Sequence, residues 1–186
     1  MAKRVCPWWL GYLMASPIRR LMVDPAKVLA PYVREGMRVL EPGPGMGFFT
    51  LELARLVGPS GRVVAVDLQP RMLESLRRRA GRAGLMERVE TRLAAPDSLG
   101  VADLYGTVDF VLAFAMVHEM PSAEAFFAQA AAALRPGGTL LLAEPAGHVS
   151  GDEFEAELRV ALQARLEVVD RPKLRGSRAA LLKKIV

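Results

Sequence analysis

The segment Glu41-Pro42-Gly43-Pro44-Gly45-Met46-Gly47 places three glycines at alternate positions, directly after a short apolar run and ahead of a helical one. Without side chains, such glycines let the chain turn tightly and let a ligand come up against bare backbone. Twenty residues beyond Gly47, Asp67 closes a second apolar run, where a carboxylate can accept hydrogen bonds from both hydroxyls of a ribose. Each feature alone fits an ordinary turn or a structural acid; together they point to a nucleoside-containing cofactor. A second set is His118-Glu119, with Glu144 and His148 after the next apolar run. A neutral imidazole at His118 suits proton removal or substrate contact, and a hydrogen-bonded structural histidine is the plainer alternative. Two His and two Glu could ligate a divalent cation, but their spacing matches no metal motif and no metal is assigned.

The elements that must position these residues alternate along the chain. Arg38–Glu41 reads as a buried strand and Phe48–Val57 as a helix stopping at Gly58-Pro59. Arg62–Leu68 is a second strand, Pro70 opens a helix over Arg71–Ala83, and Val89–Ala94 is a weaker third strand. Val108–Val117 is long and apolar, as a strand covered on both faces should be. Ser122 caps a helix through Leu134 that stops at Pro136-Gly137-Gly138, and Thr139–Ala143 is the fifth strand. A helix over Asp152–Leu166 precedes two strands, Glu167–Asp170 and Ala179–Val186, with no helix between them. The expected fold is therefore α/β and Rossmann-like: a doubly wound, mostly parallel seven-stranded sheet with a C-terminal antiparallel hairpin. Chemistry in such a sheet sits at the carboxyl ends of the strands.

Length and composition agree. The chain has 186 residues, 52% hydrophobic and 24% charged, which fits one globular domain and excludes disordered and fibrous classes. No stretch approaches the roughly 20 apolar residues of a membrane-spanning helix. The single cysteine, Cys6, excludes an internal disulfide framework and a four-cysteine zinc site, and suits a reducing, cytoplasmic setting. Residues 1–35 read as an N-terminal flap or helical extension and 36–186 as the main domain. Lys3-Arg4 and the apolar stretch to Ile18 imitate a signal peptide, but Pro7, Gly11 and Pro17 interrupt it and no cleavage pattern follows. Cys6, Trp8, Trp9, Tyr12 and Met14 instead suggest a flap closing over a substrate.

The glycine loop, Asp67, Val108-Asp109-Phe110-Val111, Leu134-Arg135-Pro136-Gly137-Gly138 and the final hairpin together make residues 36–186 resemble the class I S-adenosylmethionine-dependent methyltransferases. The resemblance favours the small-molecule branch, which includes quinone- and arsenite-methylating enzymes. It implies that Gly43, Gly45 and Gly47 pack against the methionyl part and adenosine, with Glu41 near the methionyl amino group. It implies further that Asp67 holds the ribose, Leu68 lies against adenine and Phe114 also contacts the cofactor. Many relatives meet the adenine edge with an acid and a backbone N–H after the third strand. The corresponding stretch is Ala95-Pro96-Asp97-Ser98, where Pro96 has no N–H, so Asp97 or Ser98 takes over the contact. By the same resemblance, His118 and Glu119 stand where the acceptor approaches.

Charge bears on the acceptor. Net charge is +5, but residues 94–158 carry −9, so the loops after the fourth and fifth strands offer Glu119, Glu144, Asp152 and Glu153. That rim disfavours nucleic acid and favours a small, neutral or cationic acceptor. Arg77-Arg78-Arg79 and the basic C-terminus read as solvated faces. The principal reading is an S-adenosylmethionine-dependent methyltransferase of a small molecule. The alternatives are a methyltransferase-fold binding protein without turnover, or an RNA or protein methyltransferase.

Overall fold

The computed structural model describes residues 23–185. The aromatic stretch around Trp8 and Trp9, and with it most of the expected flap, lies outside the described residues. The sheet has seven strands in the order β3-β2-β1-β4-β5-β7-β6, and the chain divides into two compact units after Ala94.

In the first unit, β1 (Arg38–Pro42), β2 (Arg62–Asp67) and β3 (Val89–Leu93) form a parallel ladder. Val39 and Leu40 of β1 and Val63 to Val66 of β2 are buried, as continuous β-branched and apolar runs must be when both sheet faces are covered. Helix α1 (Pro25–Leu29) begins at Asp24, whose side chain accepts from Ala26 N. Helix α2 is Thr50–Leu56, two residues shorter at its start than expected because the glycine loop occupies that turn. Helix α3 (Pro70–Arg82) buries Met72, Leu73, Leu76 and Ala80 at helical spacing, with Pro70 in its first turn.

In the second unit, β4 (Val108–Phe114) pairs parallel to β5 (Leu134–Pro145), and β7 (Ser177–Lys184) lies antiparallel between β5 and β6 (Leu166–Asp170). The expected hairpin is present. Its core packs Phe110 to Ala113 and Leu140 to Ala143 with Phe126 and Phe127 of α4 (Ala123–Ala133) and Phe154 and Leu158 of α5 (Gly151–Gln163).

Two strand boundaries depart furthest from expectation. The fourth strand ends at Phe114 rather than Val117, because Ala115 adopts a left-handed φ of 56° that an extended ladder cannot carry. A single 3₁₀ turn, Val117–Glu119, follows. The fifth strand starts at Leu134, well before Thr139: Leu134 is already extended and pairs with Val108 across a register shift, so Pro136-Gly137-Gly138 lies within the strand. Proline is tolerated beside such an irregularity, where the ladder is interrupted.

Candidate active site

In the first unit, β1 and β2 each end in a buried acid. Glu41 is 3% exposed, and its Oε2 and the neighbouring Thr50 Oγ1 are buried with no hydrogen-bond partner among the described residues. Burial pushes the Glu41 carboxyl up to about 8; Thr50, close by but outside hydrogen-bonding geometry, opposes the shift, and the Asp67 charge adds to it. Asp67 is 9% exposed. Its Oδ1 accepts from Gln69 N at 2.9 Å and its Oδ2 from Gly45 N at 3.3 Å, so the acid and the glycine loop hold one another in place. Leu68 and Gln69 follow, half-buried, before α3.

Two of the three glycines have distinct reasons to be glycine. All three have positive φ, 67°, 54° and 84° in order. A Cβ on Gly47 would stand 2.4 Å from Leu76 Cδ1, so this residue is required by the packing of α3 on the loop. A Cβ on Gly45 would meet nothing within 4 Å among the described residues. That open space beside bare backbone is what a ligand can fill. Arg79, expected to be solvated, instead donates Nη1 to the Met46 carbonyl and ties α3 to the loop, while Arg77 Nε donates to Thr91 Oγ1 at 2.7 Å. Neither role could be foreseen from a run of three arginines.

In the second unit, Ala95 and Ser98 close a tight turn through two backbone hydrogen bonds, with Asp97 exposed at its tip. Ser98 Oγ accepts from Gly100 N at 3.2 Å. Gln129 of α4 secures the turn, its Oε1 accepting from Leu99 N and its Nε2 donating to the Asp97 carbonyl. Gln129 went unnoticed in the sequence; its only signal is that it is the one amide in an alanine-rich helix.

Phe114, half-buried, ends β4, and the 3₁₀ turn after it carries His118 and Glu119. His118 Nδ1 bonds to Oε2 of Glu144, a fully buried acid near the end of β5, whose Oε1 accepts from Val117 N at 2.8 Å. His118 Nε2 stands 3.9 Å from Glu119 Oε1, and the side chain is 22% exposed. The His148 ring centroid is 6.0 Å away. The hydrogen bond to Glu144 raises the His118 pKa, partial burial opposes this, and the charges of Glu144, Glu119 and Glu157 add to the rise. Among the described residues, no group of three or more His, Cys, Asp or Glu is arranged to hold a metal ion.

A family profile described as a methyltransferase domain matches residues 39–138. The chain belongs to this methyltransferase-domain family. Its strand order and antiparallel ending are those of the class I S-adenosylmethionine-dependent methyltransferase fold. It is 34% identical over 140 residues to a ubiquinone biosynthesis O-methyltransferase of Methylocella silvestris, covering 74% of this chain and 52% of that protein. It is 35% identical over 120 residues to a protein-L-isoaspartate O-methyltransferase of Methanothrix thermoacetophila, covering 64% and 52%. The chain thus spans about half the length of these curated relatives. The crystal structure of a methyltransferase from Aquifex aeolicus superimposes with a TM-score of 0.85 over 98% of this chain and 100% of that one, at 23% identity, a likeness of fold.

The methyltransferase residues fit the cofactor the family implies. Glu41 Oε2 is a buried acceptor awaiting a donor, as an ammonium group would be, and Gly45 borders open space. Asp67, which accepts from Gly45 N and Gln69 N, stands directly beside the glycine loop.

Proposed function

We propose that this protein transfers a methyl group from S-adenosylmethionine to a small-molecule acceptor. The observation that carries the reading is His118, partly exposed on the turn after β4 and held from below by a buried carboxylate, which is the arrangement of a working base rather than of a packed histidine. Glu144, expected on an acidic rim, is instead buried beneath the ring; the partly exposed Glu119 beside His118 and the quinone-pathway name of the Methylocella relative support a small neutral or cationic acceptor over a polyanion.

Within this reading, Glu41 receives the methionyl ammonium group and Asp67 the ribose hydroxyls. The backbone at Gly43, Gly45 and Gly47 lines the cofactor, Leu68 covers adenine, the Ala95–Ser98 turn with Asp97 meets its edge, and Phe114 closes the contact. The bound cofactor supplies a methyl group on a sulfonium, whose departure leaves a neutral thioether. The chain's own residues align donor and acceptor, exclude water and handle the acceptor's proton: His118 takes it, and Glu119 helps orient the acceptor. Among the described residues no helix is long and apolar enough to cross a membrane; a cytoplasmic location suits a chain with one cysteine.

The test is calorimetric titration with S-adenosylmethionine and S-adenosylhomocysteine, then an acceptor screen reading S-adenosylhomocysteine release. His118→Ala is expected to keep cofactor affinity and lower turnover by about 10² to 10⁴. Loss of affinity and turnover together would make His118 structural. Cofactor binding without turnover of any acceptor would favour a binding protein.

A further inference from the structure

The geometry points to Glu144 as a positioning residue that turns His118 into a directed base, and so to an acceptor whose methylated atom is a neutral hydroxyl oxygen of phenolic or enolic type. This rests on the methyltransferase reading and says which acceptors that site takes.

Glu144 is fully buried, yet both its oxygens are engaged: Oε1 accepts from Val117 N and Oε2 from His118 Nδ1. An ionised carboxylate only accepts hydrogen bonds, so Nδ1 carries the ring proton and Nε2 is left with its lone pair. Because Val117 and His118 are adjacent on one 3₁₀ turn, a single carboxylate fixes both the backbone of the turn and the plane of the ring. A histidine with only a packing role needs no buried charge beneath it, and a buried carboxylate is costly unless its partners repay it. The groups facing the ring are Glu144 from β5, Glu119 from the same turn, Glu157 from α5 and His148 from the loop after β5. The three acids favour the imidazolium that forms when Nε2 gains a proton.

The chemistry follows from what such a base can do. A thiol or arsenite that is already anionic needs no base, and this arrangement adds nothing for it. A phenolic O–H, titrating near 10, is a poor nucleophile until its proton is shared. As the hydroxyl oxygen accepts the methyl carbon, displacing sulfur with the carbon–sulfur pair, its proton passes to Nε2. The products are a neutral ether and an imidazolium paired with Glu144, and the proton then leaves to solvent.

The experiment compares Glu144→Gln with the unaltered protein on two matched probes, 2-methoxyphenol and 2-methoxybenzenethiol, the latter largely ionised at neutral pH. Expected is a fall of about 10- to 100-fold in kcat for the phenol, with KM and cofactor affinity kept and kcat for the thiol unchanged. The rise of phenol kcat with pH should move to lower pH, because the variant imidazolium is less stabilised. Nitrogen-15 spectra of His118 should show the Nδ1–H tautomer in the unaltered protein and a mixture in Glu144→Gln. Equal loss on both probes, an unmoved pH profile or an Nε2–H tautomer in the unaltered protein would overturn the role of Glu144. Methylation of the thiol alone, or of neither probe by protein that binds the cofactor, would overturn the acceptor class. Failure to bind the cofactor at all would instead overturn the methyltransferase reading beneath it.

Discussion

Asp67 accepts from Gly45 N and Gln69 N and so ties the end of β2 to the glycine loop; in the proposed function the same carboxylate receives the ribose hydroxyls. Asp67→Ala is expected to cost roughly 2 to 4 kcal/mol of cofactor affinity, from lost charge-assisted hydrogen bonds; unchanged affinity by calorimetry would remove Asp67 from the site. Glu41 behaves differently because nothing among the described residues satisfies its Oε2. Its carboxyl titrates at about 8 in the fold against 4.5 as its ordinary value. The folded state therefore holds a proton that the unfolded chain gives up, and this stability is fully present below 4.5 and is lost as pH rises through about 8. Glu41→Gln cannot ionise, so it should melt near the unaltered protein at pH 5 and clearly above it at pH 8.5 when no cofactor is bound. A pH-independent difference in melting temperature would contradict the assignment.

At the scale of elements, the glycine loop is a short hinge of backbone pinned on two sides, by Asp67 and by Arg79 on α3. Its glycines should therefore fail in different ways. Gly45→Val puts its side chain into open space, so the protein should fold and lose cofactor binding, with some destabilisation from the positive φ. Gly47→Val drives a branched side chain into Leu76 and should lower stability by about 1 to 3 kcal/mol or more. Denaturant melts alongside calorimetry separate the two outcomes. Tight binding by a folded Gly45→Val protein would show that the loop is only a turn.

Over the whole molecule, charge is segregated along the chain, and several basic side chains are already engaged. Arg171 makes a bidentate pair with Glu155, Arg178 donates to the Val149 carbonyl, and Lys184 donates to the Leu134 carbonyl. Arg77 and Arg79 are likewise engaged. These contacts leave the charges in place but hold the side chains within the fold, which limits their reach to a phosphate. A single-stranded RNA oligomer is expected to bind no tighter than about 10⁻⁶ M at physiological salt, in the non-specific range. Fluorescence anisotropy across a salt series checks this, and tight binding that cofactor or acceptor competes away would reopen a nucleic-acid acceptor.

What the amino-acid order determined by itself is whatever depends on neighbours in the chain. Apolar runs of strand length, helical spacing with its caps, and the loop from Gly43 to Gly47 are local patterns, so the element order, the mostly parallel sheet and a tight glycine turn after β1 were legible in the amino-acid order alone. The acceptor side was only partly so. His118 stood out, but the acid that orients it lies 26 positions away, and only the register of β5 beside β4 sets Glu144 under that turn. Arg79 reaches Met46 across 33 positions, and Gln129 reaches Leu99 across 30. Such contacts follow from how the elements pack, since a run of arginines or an acid ending an apolar strand looks the same whether it faces solvent or a partner. The fourth strand's early end has the same origin. Nothing in the run Val108–Val117 breaks its apolar pattern, and the left-handed turn at Ala115 is imposed where Ala115 N bonds Ala143 O and Val117 N bonds Glu144, contacts only the assembled sheet provides.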